Sequence, residues 1–292
     1  MPKRTERQKN LLLEVTYPTI SKESGCTVAL HTDLTIVSIH GHTNGAASIP
    51  SLVESLSQLP GSRGLLISLE RPPSLPDHIA WKQTAPLDYF QYSMFCMYCL
   101  QHYIDTEYCL VVQDDGWVIN GNNFTDEYYE YDYVGAPTHM GILNDQAMFH
   151  FSWVHVKDPI VVQNGGFSLR SRKFLEAPSK HGIVHKLYNQ QPFINEDVQL
   201  SGLLRPQLES VGVRFAPTNI AKQFSIEYMG PGVHDDIDLE RLVGHHAPSR
   251  KLIGHKSIAI RSTVEECDNV FGELDFLMFL QDKGYSFEYR NS

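Results

Sequence analysis

The stretch "CLVVQDDGWVINGNN", residues 109–123, places two adjacent carboxylates directly after an apolar run. The apolar run is typical of a buried β-strand. Asp114 and Asp115 repel each other, and burying them without a partner costs free energy. A crevice that binds a cation or a polar ligand removes this cost, so the stretch predicts a functional site where a strand ends.

The chain before this stretch alternates between strand and helix patterns. Strands are predicted over 33–41, 63–72, 78–84 and 106–116, and helices over 48–59 and 86–104. Such alternation predicts the α/β class, with a Rossmann-like, mostly parallel central sheet flanked by helices. Ligands of such sheets bind at the carboxyl ends of the strands. Residues 40–44, 70–73 and 113–116 fall at that edge.

The second half of the chain has a less regular pattern. Residues 158–177 predict a strand, a glycine turn, a second strand and a helix. The alternative for the paired glycines, Gly165 and Gly166, is a close approach of the backbone. Residues 193–217 predict a helix that begins with acidic residues and is followed by a strand. The tail beyond residue 250 predicts a mainly helical C-terminus.

Composition excludes several classes of protein. With 292 residues, 42% of them hydrophobic, the chain is long enough for a sizeable core. A net charge of −10 argues against a general nucleic-acid binder, which needs a basic face. No apolar run approaches the roughly 20 residues that span a bilayer. The basic start, residues 1–15, favours a flexible arm over a signal peptide and leaves peripheral contact with an anionic membrane open.

The five cysteines favour a reducing, cytoplasmic location, because their number is odd and no signal peptide is evident. Cys96 and Cys99 have the spacing of a zinc knuckle. Their aromatic surroundings and the absence of a second C-x-x-C pair favour a buried helical pair instead.

Two acidic pairs are candidates for chemistry. The oxygen ligands of Asp114 and Asp115 suit Mn²⁺ or Mg²⁺, with a solvated acidic turn as the alternative. Glu196 and Asp197 stand at a predicted helix start, where they serve either as a cap or as a general base. The helix dipole there predicts a carboxylate that is ionised at neutral pH.

Five segments occur in an order that resembles a known family. They are "VVQDDGWVING" (111–121), "YDYVGAP" (131–137), "NGGFSLRSRKFL" (164–175), "NEDV" (195–198) and "FAPTNIAKQFSIE" (215–227). Over about residues 33–250 the chain resembles the GT-A-type glycosyltransferase domains grouped as domain of unknown function 5672. The resemblance implies a GT-A fold and a nucleotide-sugar-dependent transferase.

The resemblance also implies a metal site for Mn²⁺ or Mg²⁺. The sequence Gln113-Asp114-Asp115 takes the place of the family's Asp-x-Asp signature, with Asp115 at the metal-ligating position and Asp114 assisting. Gln113 departs from the signature, and an amide ligates a cation poorly but can bind a ribose hydroxyl. In the late segment "VGHH", His246 matches the histidine that completes the site, ahead of His245 and His234.

Further roles follow from the same resemblance. Asp197 matches the base of inverting members, and Glu196 is placed to bind acceptor or sugar hydroxyls. The segment "NGGFSLRS" implies acceptor-binding residues, which are Gly165, Gly166 and Phe167. Position at strand ends, together with the signature, gives the candidate donor-binding residues, which are His40, Thr43, Asn44, Glu70, Gln113 and Asp114.

The implied organisation is a single GT-A domain with two halves. Residues 1–32 form an arm and lead-in, 33–120 the nucleotide-sugar-binding half, 121–250 the acceptor-binding half and 251–292 a helical tail. The implied donor is a UDP- or GDP-sugar, and the implied acceptor is a hydroxyl of a glycan or glycoconjugate.

Two other functions fit parts of the sequence. A metal-dependent phosphoester hydrolase would draw its ligands from His40, His42, Asp114, Asp115, His245 and His246. A non-catalytic sugar-binding domain would keep the aromatic run "YYEYDY", residues 128–133, and would need no base at Asp197.

Overall fold

The computed structural model describes residues 30–143, 146–149, 160–186, 194–230, 232–261 and 272–290. Apart from residues 30–32, the predicted N-terminal arm lies outside the described residues. None of the helices in this part of the chain is long and apolar enough to cross a membrane.

A seven-stranded sheet forms the centre of the fold. Its strands are β1 (Leu34–Ile39), β2 (Arg63–Ser68), β3 (Ile79–Gln83), β4 (Tyr108–Val111), β6 (Tyr133–Leu143), β7 (Gln146–Phe149) and β8 (Ile160–Ser171), in the order β3-β2-β1-β4-β8-β6-β7. Neighbours from β3 to β4 are parallel, and β8 is antiparallel to both β4 and β6. Strand β6 therefore runs with the first four strands, and the predicted α/β class with a mostly parallel, Rossmann-like sheet is confirmed.

Helices cover both faces of this sheet. They are α1 (Ile49–Gln58), α2 (Tyr89–Tyr98), α3 (Arg172–His181), α4 (Arg205–Ser210), α5 (Thr218–Phe224) and α6 (Glu273–Asp282), the last packing on a separate sheet. Strand β1 alternates between two apolar clusters, with Val37 and Ile39 in one and Leu34 and Ile36 in the other. Because both faces are buried, the strand reads as a continuous apolar run.

The strand order reverses between β1 and β4. From β1 the chain proceeds outward through β2 to β3, and then returns to place β4 on the other side of β1. The carboxyl ends of these two neighbouring strands border a crevice, which is where open α/β sheets bind ligands. His40 follows β1, and Asp114 and Asp115 follow β4, so the crevice lies between the residues that the sequence singled out.

Two smaller sheets pack beside this crevice. One contains β5 (Gly116–Val118), β9 (Ser225–Ile226) and β10 (Gly244–His246), and the other contains β11 (Arg250–Gly254), β12 (Ser257–Ile260) and β13 (Ser286–Tyr289). The indole nitrogen of Trp117 donates a hydrogen bond of 2.9 Å to the hydroxyl of Tyr285 and so joins the two. The described part of the tail thus combines three strands with α6, and the prediction of a mainly helical tail was wrong.

Other details of the second half also differ from prediction. Strand β8 runs without interruption through Gly165 and Gly166, so no turn forms there. The pairing of β6 with β8 instead shifts register between Gly135 and Pro137. The helix predicted after residue 193 is a short π-helical segment, Val198–Leu203, followed by α4. Cys96 is buried as expected, but Cys99 is exposed.

Candidate functional site

Strand pairing brings His246 to the aspartates. Strand β10 is antiparallel to β5, with His246 opposite Gly116, and the N–H of Ala247 donates to the carbonyl of Asp115. Nε2 of His246 consequently lies 3.2 Å from Oδ1 of Asp115 and 3.1 Å from Oε1 of Gln113. The register of this small sheet joins two segments that are far apart in the sequence.

The two other candidate histidines lie elsewhere. Side chains alternate along a strand, so His245 points away from His246. The ring of His245 packs 4.0 Å from that of Trp117, between centroids, and is fully buried. Nδ1 of His234 accepts a hydrogen bond from the N–H of Gly230. Of the three, the structure brings His246 to Asp115.

Asp115 and His246 behave as an ion pair. Burial acts to raise the pKa of Asp115, but the positive charge of His246 outweighs it and the pKa is lowered. Burial likewise acts to lower the pKa of His246, but the charges of Asp115, Glu227 and Asp197 raise it. Each charge thus stabilises the other, which favours a carboxylate beside an imidazolium.

This pair fits part of a divalent-cation site. Nδ1 of His246 is buried and lacks a hydrogen-bond partner within the described residues, whereas Oδ1 of Asp115 contacts only Nε2 of the same ring, at 3.2 Å, among the described side chains. In the same part of the chain, no group of three or more His, Cys, Asp or Glu side chains is arranged to hold a metal ion. Manganese and magnesium are commonly held by one or two protein ligands together with substrate phosphates. Asp115 and His246 suit that mode, and a cation there would displace the proton on the imidazole.

Gln113 is held at both ends of its amide. Its Nε2 donates to the hydroxyl of Tyr92 over 3.0 Å, and its Oε1 contacts His246. Gln113 thus orients the imidazole of His246. The predicted contact between Gln113 and a ribose requires Gln113 to exchange one of these two hydrogen bonds.

Asp114 has a different partner from Asp115. Its Oδ2 lies 2.5 Å from Nζ of Lys251 on β11, and its carbonyl accepts a hydrogen bond from the N–H of Leu252. The ion pair competes with any cation for this carboxylate, which sets Asp114 apart from its predicted metal role. It also brings an ammonium group, which the sequence analysis missed, to the crevice.

The second acidic pair lies at the start of the π-helical segment. Oε1 of buried Glu196 forms an ion pair of 2.9 Å with Nη2 of Arg170, whose side chain is fully buried. Asp197 accepts two backbone hydrogen bonds, at Oδ2 from Gly165 and at Oδ1 from Val198. Glu196 is thereby neutralised by a cation, whereas Asp197 is held by dipoles alone.

Burial and the charge of Glu196 raise the pKa of Asp197 to about 7, against the opposing effect of the two backbone hydrogen bonds. The position of Asp197 at a helix start predicted a carboxylate that is ionised throughout the neutral range. This prediction was wrong because burial and a neighbouring carboxylate outweigh the dipole of a short helical segment. Asp197 therefore has the proton affinity of a general base that works near neutral pH.

Two glycines of β8 separate the acidic pair from the histidine. A Cβ on Gly165 would lie 2.5 Å from Oε1 of Glu196, and a Cβ on Gly166 would collide with the ring of His246. The paired glycines are thus required for close approach and not for a turn. They form the boundary between Glu196 and Asp197 on one side and His246 on the other.

Two further site residues are Asn164, which precedes the glycines on β8, and Glu227, which follows β9. Oδ1 of Asn164 accepts from the N–H of Gly166, and its Nδ2 donates to Glu227 over 3.2 Å. Burial raises the pKa of Glu227, whose charge in turn acts on His246 and Asp115. Phe167 is fully buried and packs against Phe224, so its predicted role in acceptor binding is corrected to a role in the core.

The remaining donor candidates border the crevice at different depths. His40 hydrogen-bonds to Ser48 over 2.7 Å, and burial lowers its pKa while Asp114 opposes that effect. Thr43 and Asn44 cap the following turn, accepting from the N–H groups of Gly45 and Ala46. Glu70 is exposed after β2. Of these residues, His40 is the one whose pKa is affected by the charges of Asp114 and Asp115.

Four of these site residues were not predicted from the sequence, namely Lys251, Glu227, Arg170 and Asn164. Arg170 and Glu227 lie within "NGGFSLRS" and "FAPTNIAKQFSIE", where charged side chains in apolar strand patterns were the available signal. Lys251 stands in an unremarkable basic segment, so only its position in the fold identifies it.

Comparison with known families identifies the family of the chain. The profile of the family described as "Protein of unknown function (DUF5672)" matches residues 89–246, just over half of the sequence. The chain belongs to the DUF5672 family. The matched region of this DUF5672 protein includes Asp115, Asp197 and His246, and it begins at the first residue of α2.

Other comparisons add less. No curated protein matches the DUF5672 chain. A crystal structure of an active-site mutant of LgtC is similar, with 12% identity and a TM-score of 0.42 over 73% of this chain and 87% of that one. A likeness at that TM-score carries no residue roles to this protein.

Proposed function

We propose that this DUF5672 protein is a GT-A-type glycosyltransferase that moves a sugar from a nucleotide-sugar donor to a hydroxyl acceptor with inversion. One observation carries the proposal. At the crevice, a carboxylate–imidazole pair suited to a cation lies across two glycines from a buried carboxylate with raised pKa. A transferase needs both groups, one beside the leaving group and one beside the nucleophile.

The donor side is formed by Asp115, His246 and Lys251. A UDP- or GDP-sugar presents a diphosphate, and the crevice offers an ammonium group and the two ligands for Mn²⁺ or Mg²⁺. A bound cation would supply charge neutralisation for the leaving diphosphate. Lys251 contributes to the same charge neutralisation. Its Nζ is within ion-pair distance of Asp114, and it would exchange that partner for a phosphate of the bound donor. His40 borders the position of the nucleoside.

The acceptor side is formed by Asp197 and its neighbours. The acceptor oxygen attacks the anomeric carbon, the bond from that carbon to the diphosphate oxygen breaks, and the diphosphate leaves with the electron pair. Asp197 takes the proton of the acceptor hydroxyl as its acidity rises. An ion pair with Arg170 fixes the position of Glu196, and the negative charge of Glu196 raises the basicity of Asp197.

The two rival functions lose support from the geometry. A two-metal hydrolase would use His42 and His245, but His42 is exposed and His245 is buried against Trp117. A sugar-binding surface built on residues 128–133 would need exposed rings. Tyr128 and Tyr133 instead lie in the apolar core.

The proposed location is the cytoplasm. The support for this proposal is the odd number of cysteines, five, which favours a reducing compartment.

A donor screen tests the proposed function. Purified protein is incubated with each of a panel of UDP- and GDP-sugars, with Mn²⁺ or EDTA, and release of the nucleoside diphosphate is measured. We expect one donor to be hydrolysed slowly in the presence of the metal and faster once glycan acceptors are added. Release of inorganic phosphate from phosphoesters, with no turnover of any sugar nucleotide, would overturn the proposal in favour of the hydrolase.

A further inference from the structure

Tyr89 is a large aromatic residue that the fold leaves on the surface at the acceptor side. It is the first residue of α2, and 51% of it is exposed. Its backbone is fixed by a capping box, in which Asp88 accepts from the N–H of Gln91 and the Gln91 side chain accepts from the N–H of Asp88. The ring is therefore presented from a rigid helix end.

Helix α2 directs one face toward the site. Tyr92, three residues after Tyr89, accepts the hydrogen bond from Gln113. Positions three apart share a helix face, so Tyr89 lies on the side of the helix that meets the crevice. The next residue, Phe90, packs edge-on against His185, whose ring lies 3.4 Å from the carbonyl of Ile194. The start of α2 is thus packed against the segment that leads into Glu196 and Asp197.

The hydroxyl of Tyr89 lies among the residues of the acidic pair. It is hydrogen-bonded to the side chain of Asn195, and the charged groups that act on it are Asp197, Glu196 and Glu227. Oδ1 of Asn195 is buried away from solvent, so the role of Asn195 is to hold the tyrosine hydroxyl. Tyr89 consequently combines a half-exposed ring with a hydroxyl held beside the proposed base.

We propose that Tyr89 forms a subsite for a sugar ring of the acceptor, with the tyrosine ring covering the apolar face of a pyranose and Asn195 holding the tyrosine hydroxyl beside the acidic pair. The subsite rests on the proposed function, and it names the acceptor class as a carbohydrate rather than a lipid alcohol or a protein side chain. Burying the C–H face of a pyranose against an aromatic ring removes apolar surface from water. A rigid tyrosine loses little conformational entropy on binding.

The position of Tyr89 favours contact with the acceptor over contact with the donor. Asp197 is the strongest charge acting on the hydroxyl of Tyr89, whereas Lys251 and Asp115 lie by the proposed diphosphate position. A sugar stacked on Tyr89 would therefore place its hydroxyls toward the proton acceptor.

Tyr89→Ala and Tyr89→Phe test the subsite. With a glycan acceptor we expect Tyr89→Ala to raise the acceptor KM about tenfold or more and Tyr89→Phe to change it by less than about threefold, since the ring is kept. In both variants the effect should fall on the acceptor KM and not on the donor KM. Tyr289→Ala is the matched control, because Tyr289 is 48% exposed on β13, away from α2. Melting temperatures verify that each variant is folded.

A binding measurement separates this proposal from the proposed function. Saturation-transfer NMR with oligosaccharide glycosides reports sugar binding whether or not any donor is turned over. Binding that is lost in Tyr89→Ala but kept in Tyr289→Ala supports the subsite even if the donor screen finds no transferase. Sugar binding or acceptor KM that is the same in Tyr89→Ala and wild type overturns it, as does a change confined to donor KM. Absence of glycan binding by the wild type also overturns it.

Discussion

Gly166 and His246 approach so closely that any side-chain carbon on the glycine would collide with the imidazole ring. The glycine belongs to the central sheet and the histidine to a small sheet formed late in the chain. Their contact fixes the distance between the proposed donor and acceptor sides, so the missing side chain of Gly166 is a requirement of the site.

Gly166→Ala should therefore displace His246 and lower manganese-dependent affinity for a nucleoside diphosphate about tenfold or more. Crowding a packed position of this kind costs about 1–3 kcal/mol of stability as well. Titration calorimetry gives the affinity, and chemical denaturation gives the stability. Gly254→Ala is the control, because a Cβ there meets Ser257 at an ordinary 3.9 Å. Unchanged affinity in Gly166→Ala would contradict the placement of His246 in the site.

Asp115→Ala should abolish the manganese-dependent part of nucleotide binding while the fold stays intact. Gln113→Ala should do less, because the amide orients His246 and is itself a poor cation ligand. Calorimetry with Mn²⁺ and with EDTA separates the two contributions.

The same measurement ranks the late histidines. His246→Ala should weaken binding of Mn²⁺, whereas His245→Ala should affect stability, because its ring is buried against Trp117. If only His234→Ala weakened binding, the metal assignment would belong to another part of the fold.

Lys251→Met should weaken binding of a nucleoside diphosphate even in EDTA, by about tenfold, because it removes a cation from a partly buried crevice. Asp114→Asn should have the opposite effect in EDTA, since it frees the ammonium group from its present partner. Lys256→Met serves as the control, because Nζ of Lys256 donates to the carbonyl of Lys283 instead. Equal affinities in Lys251→Met and wild type would remove Lys251 from the donor side.

Asp197→Asn should lower turnover about 10²- to 10⁴-fold and leave donor binding near normal, because the amide keeps the shape of the side chain but accepts no proton. Glu196→Gln should chiefly weaken use of the acceptor, since Glu196 is paired with Arg170. Steady-state kinetics with both substrates varied separates these effects. Full turnover in Asp197→Asn with loss in Glu196→Gln would exchange the two roles.

The pH profile provides a second test of the same residue. Burial raises the pKa of Asp197 to about 7, and only the deprotonated carboxylate accepts a proton. The value of kcat/KM should thus rise with pH up to about 7 and then level off. The groups that surround Asp197 are Glu196, Glu227, Tyr89, Tyr133, Arg170 and His246. Persistence of the acidic limb in the residual activity of Asp197→Asn would assign it to one of these neighbours.

Much of the first half of the fold was readable from the sequence. The strand and helix patterns up to residue 116 match the observed elements in order and type, because apolar periodicity and local turn chemistry are properties of neighbouring residues. The position of Asp114 and Asp115 at a strand end followed from the same local reasoning.

The second half was predicted less well because its structure depends on distant contacts. Of the two predictions for the glycine pair, the turn was wrong because Gly165 and Gly166 continue β8, and the close approach is made to Glu196 and His246. Phe167 follows them in sequence, but strand alternation directs it into the core.

The α/β class, the crevice edge and the types of residue available for chemistry follow from the pattern along the chain, so they could be predicted. The partners of these residues depend on the tertiary structure. The register of β5 with β10 joins Asp115 to His246, and the packing of β11 joins Asp114 to Lys251, whereas Glu196 meets Arg170 of β8. Charge and proton affinity are set by what lies within a few ångströms, and the sequence does not give that distance for residues that are 26 to 137 positions apart.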